Sequence, residues 1–195
     1  MRYWVALIAL GLSLVAGCGM ETPSATEAPG LVQQDESVNP TPYPTGIEIP
    51  KIGVKGPLGR TDVDKDNVLI VSDLSDPKRI DWYERGGIPG DVGFPAVIIS
   101  HVNGHGNPGG FADLHKLVRG DTVVVERGDG TRLGFIVDTV NKYNKAKFPT
   151  AEVYKPSPTV PKLVLITCGG KFVGPPTGYE DNIVVTAALD TPAAG

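Results

Sequence analysis

The chain carries a thiol and an imidazole in matching places, each at the carboxyl end of an apolar run. Lys162-Leu163-Val164-Leu165-Ile166-Thr167-Cys168-Gly169-Gly170 reads as a strand buried on both faces that stops in a threonine, a cysteine and two glycines. Glycines beside a sulfur let a ligand or other backbone approach closely, which suits a nucleophile. A cysteine in the same place also packs well as a small hydrophobe. Pro95-Ala96-Val97-Ile98-Ile99-Ser100 is a second apolar run, and it delivers His101. If these two strands are neighbours, both side chains project over one rim. An imidazolium there stabilises the thiolate and then protonates a leaving amine, the chemistry of acyl transfer. The alternative for His101 is a core or loop histidine satisfied by backbone. His101, His105 and His115 also invite a zinc reading. The glycines between them forbid the helix that would put His101 and His105 on one face, and no glutamate stands beside them as a base. The expectation is therefore no metal and no cofactor.

Two reactive groups need a rigid frame, and the elements around them read as short strands. Ile47 to Ile52 roughly alternates apolar and polar residues, with Pro50 restricting it to an edge or a strand end. Val68 to Val71 is expected as a strand. Asp76-Pro77 is expected to cap and open a short helix through Ile80, Trp82 and Tyr83. After His101, the glycines and proline up to Gly110 make a loop, and Phe111 to Leu117 is one or two helical turns. Asp121–Glu126 and Thr131–Val137 flank Arg127-Gly128-Asp129-Gly130, a hairpin signal. Phe148 to Tyr154 reads as a loop with a short helix, and Asp181 to Ala187 as the last strand. Sparse helix without a βαβ rhythm implies an all-β fold, a closed or nearly closed barrel of about eight strands. The 25 glycines and 18 prolines fit the many turns this needs.

The ends of the chain read differently. Arg2 and the apolar Tyr3–Val15 stretch form a signal peptide, too short for a comfortable membrane span. It ends in Leu14-Val15-Ala16-Gly17-Cys18, which resembles the lipobox of bacterial lipoproteins. That resemblance implies cleavage after residue 17 and a lipid on Cys18, an anchor to the extracytoplasmic face of the plasma membrane. Of the two cysteines, Cys168 is then an unpaired thiol in an exported protein, a candidate reactive group. Residues 18–45, rich in Pro, Ser, Thr and Glu, are expected as a flexible tether. A folded domain is expected over 46–190, with 191–195 as a tail. The net charge of -4 offers no basic face for nucleic acid.

The same residues carry a family resemblance. Ser100-His101-Val102-Asn103-Gly104, then Phe111-Ala112-Asp113-Leu114 and Leu117-Val118-Arg119-Gly120-Asp121, resemble the histidine region of sortases. Leu165-Ile166-Thr167-Cys168 resembles their Leu-x-Thr-Cys signature. The stretch from Cys168-Gly169-Gly170 to Thr177-Gly178-Tyr179-Glu180-Asp181-Asn182-Ile183-Val184-Val185 is similar to the actinobacterial branch called class F, as is Trp82 to Gly90. The resemblance implies a closed, roughly eight-stranded sortase barrel and a cysteine transpeptidase. Cys168 would attack a Leu-Pro-x-Thr-Gly-like sorting signal on secreted proteins, His101 would act as acid and then base, and a cell-wall precursor amine would resolve the acyl-enzyme. Two positions depart from the family. Val164 stands where Thr or Ser is common, and Glu180 stands where an arginine holds substrate and steadies the oxyanion. Candidates to replace that arginine are Asn182, Lys171, Arg85 and Arg132. The other reading is a catalytically weak lipoprotein barrel that binds sorting-signal peptides or wall fragments.

Overall fold

Residues 41–175 and 177–190 are described by a computed structural model. The signal peptide, Cys18, most of the 18–45 tether and the 191–195 tail lie outside the described residues. The described residues form eleven strands: β1 (Pro44–Ile49), β2 (Val54–Pro57), β3 (Gly59–Thr61), β4 (Ile80–Tyr83), β5 (Ala96–Ser100), β6 (Asn103–Gly104), β7 (Asn107–Pro108), β8 (Thr122–Arg127), β9 (Arg132–Asn144), β10 (Lys162–Gly174) and β11 (Gly178–Leu189). Among the described residues, helix is limited to one turn of α-helix, α1 (Thr150–Val153), and three short 3-10 turns.

Nine strands form one sheet in the order β2-β1-β8-β9-β11-β10-β5-β4-β3, and β6 and β7 make a separate small hairpin. The two edge strands are consecutive in the chain. β2 pairs with β1 and β3 pairs with β4, with only Leu58 between them. Residues 54–61 therefore join the two edges of the sheet and close it. Counted as one bent strand, this segment makes the sheet a closed ring of eight. What edge remains is confined to the unpaired sides of the short β2 and β3, which limits the surface that could template pairing with other chains.

Alternation along the strands explains where the core sits. Ile98, Leu163, Leu165, Val185, Phe135, Val123 and Trp82 point inward, where Phe111, Leu114 and Leu117 plug the interior. Val97, Ile99, Val164, Ile166 and Val184 point outward, and the connection from β9 to β10 covers them with Phe148, Val153 and Tyr154. β5 and the first part of β10 are thus buried on both faces, as their unbroken apolar runs require.

Several expected elements differ. Val68–Val71 is not a strand: apart from a single bridge between Val63 and Leu69 it is a loop, and Val68 is 59% exposed. Its backbone bonds back only locally, with Ile70 N–H donating to the Asp62 carbonyl at 2.9 Å and the Val68 carbonyl accepting from Asp64 N–H at 2.8 Å. The helix expected from Asp76 is only a turn, and Ile80–Tyr83 is strand β4. Ile80, Asp81 and Trp82 are all buried between β3 and β5, so ladder pairing overrides the capping signal. β9 also runs seven residues past the expected Val137, to Asn144, and β10 does not stop at the glycines after Cys168 but continues through a bulge to Gly174, where it turns into β11. Among the described residues, no helix is long and apolar enough to cross a membrane.

Candidate active site

β5 and β10 are parallel neighbours, with Ala96 to Ile99 in register with Leu163 to Ile166. Extending that register by two residues sets His101 opposite Cys168. A buried side chain locks the pairing: the Thr167 hydroxyl donates to the Ser100 carbonyl oxygen at 2.8 Å. The Ser100 hydroxyl in turn donates to the carbonyl of Arg79 at 2.7 Å, tying in β4. These bonds sit one residue before each reactive group, where a hydroxyl fixes the strand ends without competing for the rim.

Cys168 and His101 open onto one groove of about 480 Å³, and both are half-buried. Ile99, Ile166, Phe148 and Tyr154 give it apolar walls, and Leu69 and Val71 of the loop after β3 close one side. Burial raises the Tyr154 phenol above its ordinary value, with the nearby Tyr83 adding to the effect. His101 Nε2 lies 2.5 Å from the Ser72 carbonyl oxygen. A carbonyl only accepts, so Nε2 donates and a neutral ring has Nδ1 free as its basic atom.

The loop after His101 is fixed by backbone. Phe111 N–H donates to the His101 carbonyl at 3.0 Å, and Gly109 N–H to that of Val102 at 3.0 Å. A Cβ on Gly109 would collide with the His101 carbonyl. The Asn103 side-chain amide donates to the Tyr179 hydroxyl at 2.6 Å, linking this loop to the β10–β11 hairpin. Gly170, at φ +75°, has the left-handed backbone that the bulge beyond Cys168 needs, and a Cβ there would meet the Asp181 carboxylate.

The candidate oxyanion groups are dispersed. Asn182 is the direct cross-strand partner of Cys168 and lines the groove. Arg85 is held by Asp62 at 2.5 Å, in a separate depression beside Tyr83 and Phe94. Arg132 begins β9, at the far end from the site, and pairs with Glu126 and Glu48. Lys171 is exposed on the hairpin beyond Cys168, and neither it nor Glu180 lines the groove. His105 and His115 lie in the β6–β7 turn and on an exposed 3-10 turn, and neither lines the groove. Among the described residues, no group of three or more His, Cys, Asp or Glu converges as a metal site.

Sequence reasoning missed Lys145. Its Nζ lies 3.6 Å from Cys168 Sγ and donates to the Thr177 carbonyl at 3.2 Å. The extension of β9 brings it there, because Tyr143 pairs with Asn182 and Asn144 with Asp181. Thr139–Asn144 carries no apolar alternation, and its only strand signal is the β-branched and aromatic content of Thr139, Val140 and Tyr143.

A sortase domain model matches residues 47–190, the whole barrel apart from the start of β1. Sortase C-1 from Actinomyces oris has the same fold, with a TM-score of 0.57 and 19% identity over 76% of this chain and 74% of that one. Sortase A from Corynebacterium diphtheriae superposes with a TM-score of 0.58 and 20% identity, over 78% of this chain and 63% of that one. A sortase C from Clostridium perfringens, solved with the C-terminal cell wall sorting motif, gives 0.56 and 18% identity over 75% and 70% of the two chains. No curated protein sequence matches. With a matching domain that covers most of its length and a thiol and imidazole just past the paired stretch of two parallel strands, the chain belongs to the sortase family of cysteine transpeptidases.

Proposed function

We propose that the protein is a class F-like sortase, anchored through lipid on Cys18 to the extracytoplasmic face of the bacterial membrane. It cleaves a Leu-Pro-x-Thr-Gly-like sorting signal on secreted proteins and passes the acyl part to a cell-wall precursor amine or to water. The observation that carries this reading is the shared groove of Cys168 and His101, each two residues past the parallel pairing of β10 with β5. The apolar walls suit the leucine and proline of such a signal, and the C. perfringens enzyme solved with its sorting motif shares the fold.

In this reaction the Cys168 thiolate attacks the Thr carbonyl carbon, and the carbonyl π pair moves onto oxygen. The tetrahedral adduct collapses to a thioester as the Thr–Gly bond breaks. The departing glycine nitrogen takes a proton from the His101 imidazolium, whose Nδ1 is the ring atom left free by Ser72. An incoming amine then gives a proton back to His101 and attacks the thioester, releasing the sulfur as thiolate.

The test is a fluorogenic panel of sorting-signal peptides, comparing wild type with Cys168→Ala. Cleavage of one peptide class by wild type alone is expected, and turnover that survives the substitution contradicts the mechanism. Metabolic labelling with a radioactive fatty acid tests the anchor: label is expected on wild type and absent from Cys18→Ser. A weakly catalytic binding barrel is the second reading, favoured by Glu180 at the position of the family arginine. It predicts peptide binding without a thioester.

A further inference from the structure

We infer that Lys145 is the catalytic cation of this site, taking over from β9 the work that the family assigns to an arginine on the last strand. The inference rests on the proposed role of Cys168 as nucleophile. Lys145 is the only cationic side chain among those lining the groove apart from His101. Its ammonium approaches the sulfur to 3.6 Å, and its second partner, the Thr177 carbonyl, is neutral. Among the described residues, no carboxylate lies within ion-pair distance of it, whereas Arg85 and Arg132 are each held by acidic partners. Its charge is therefore directed at the thiol.

The placement is built into the chain. Lys145 opens a 3-10 turn (Lys145–Lys147) whose preceding residue, Asn144, accepts a hydrogen bond from Ala146 N–H through its side chain at 3.1 Å. Asn144 is itself in register with Asp181, one residue from the partner of Cys168. The side chain thus leaves a fixed backbone and spans from β9 across β11 to β10.

An ammonium beside a thiol favours the thiolate. During attack the negative charge passes from sulfur to the carbonyl oxygen, only one carbon away. A flexible ammonium with three donors can follow that charge, which a rigid guanidinium fork does by offering several fixed donors. Asn182, opposite Cys168, is placed to add a neutral amide donor. Glu180 becomes tolerable in this arrangement because the cation arrives from another strand.

The test uses the mature folded protein and two readouts. The first is the rate of Cys168 alkylation by iodoacetamide at neutral pH, followed by intact mass. The second is kcat/KM on the best sorting-signal peptide. Lys145→Ala and Lys145→Gln should each slow alkylation by about tenfold or more and lower kcat/KM by at least as much, mainly through kcat. Lys145→Arg should stay within about threefold of wild type on both. Alkylation and kcat at wild-type levels in Lys145→Ala overturn the inference and leave Asn182 as the donor. Failure of wild type to cleave any peptide would instead count against the proposed function, and the alkylation rates would still decide the role of Lys145.

Discussion

Removing the Thr167 hydroxyl should loosen the joint that aligns the thiol with the imidazole. Thr167→Val keeps side-chain volume and β-branching, so it opens no cavity and loses no strand propensity. What it removes is a 2.8 Å hydrogen bond between residues that are 4% and 3% exposed. A net hydrogen bond contributes about 1 kcal/mol, and a buried carbonyl short of a partner costs about 1–3 kcal/mol. Ser100 lies in the β4–β5 ladder opposite Ile80, which holds the cost to the lower end, about 1–2 kcal/mol. With a urea slope of about 2 kcal/mol/M for a domain of this size, the unfolding midpoint should fall by about 0.5–1 M. Turnover should fall by more than stability, because a small displacement of reacting groups costs about 10²-fold. Thr167→Ser, which keeps the hydroxyl, should retain most of the activity and lose about 1 kcal/mol for the missing methyl. Urea unfolding followed by tryptophan fluorescence, with peptide cleavage in parallel, checks both. A Val variant matching wild type in midpoint and turnover would refute the joint.

Three further outcomes follow from the same geometry. Gly109→Ala should cut turnover by at least about tenfold, since its Cβ must displace the His101 carbonyl, while residual structure by circular dichroism stays that of a barrel. Acid should destabilise the domain through Asp62, Asp73 and Asp129, each held below its ordinary value of 3.8 chiefly by a backbone N–H, from Val63, Ser75 and Thr131 respectively. Their contribution is present above that value and lost as pH falls through the lower folded values, so Tm should drop on acidification below about pH 4, and a flat profile there would contradict it. Tyr154 acts in the opposite sense: burial raises its phenol above 10.0, so its contribution holds below that value and is lost as pH climbs through the raised one. Absorbance at alkaline pH should show one tyrosine titrating late, and that component should vanish in Tyr154→Phe.

How much of this was legible in the sequence depended on whether a residue's role was local. Cys168 and His101 could be found because each ends an apolar run, and runs without alternation belong to strands covered on both faces, as β5 and β10 are. The barrel followed from short strands and turns, and Arg127–Gly130 forms its hairpin with Arg127 N–H donating to the Thr131 carbonyl at 2.9 Å. Val68–Val71 misled because strand propensity says nothing about whether a partner strand lies alongside, and this run meets only a single bridge to Val63. The β4 strand hid behind Asp76-Pro77, a helix-start pattern, because what makes it a strand is its ladder with β3 and β5, in which the buried Asp81 pairs with Arg79 at 2.8 Å. Lys145 was invisible for a similar reason. Its partner is set by the register of β9 on β11 and β11 on β10, two pairings away in space and 23 residues away in sequence.

The most direct test of Cys168 as an acyl-transferring nucleophile is intact-mass spectrometry after incubation with a sorting-signal peptide, without added amine. The expected spectrum contains wild-type protein heavier by the acyl portion of the peptide up to its Thr carbonyl. The adduct should map to Cys168, be discharged by hydroxylamine, and be absent from Cys168→Ala. Peptide cleavage by wild type with no adduct, or an adduct that persists on Cys168→Ala, would contradict it.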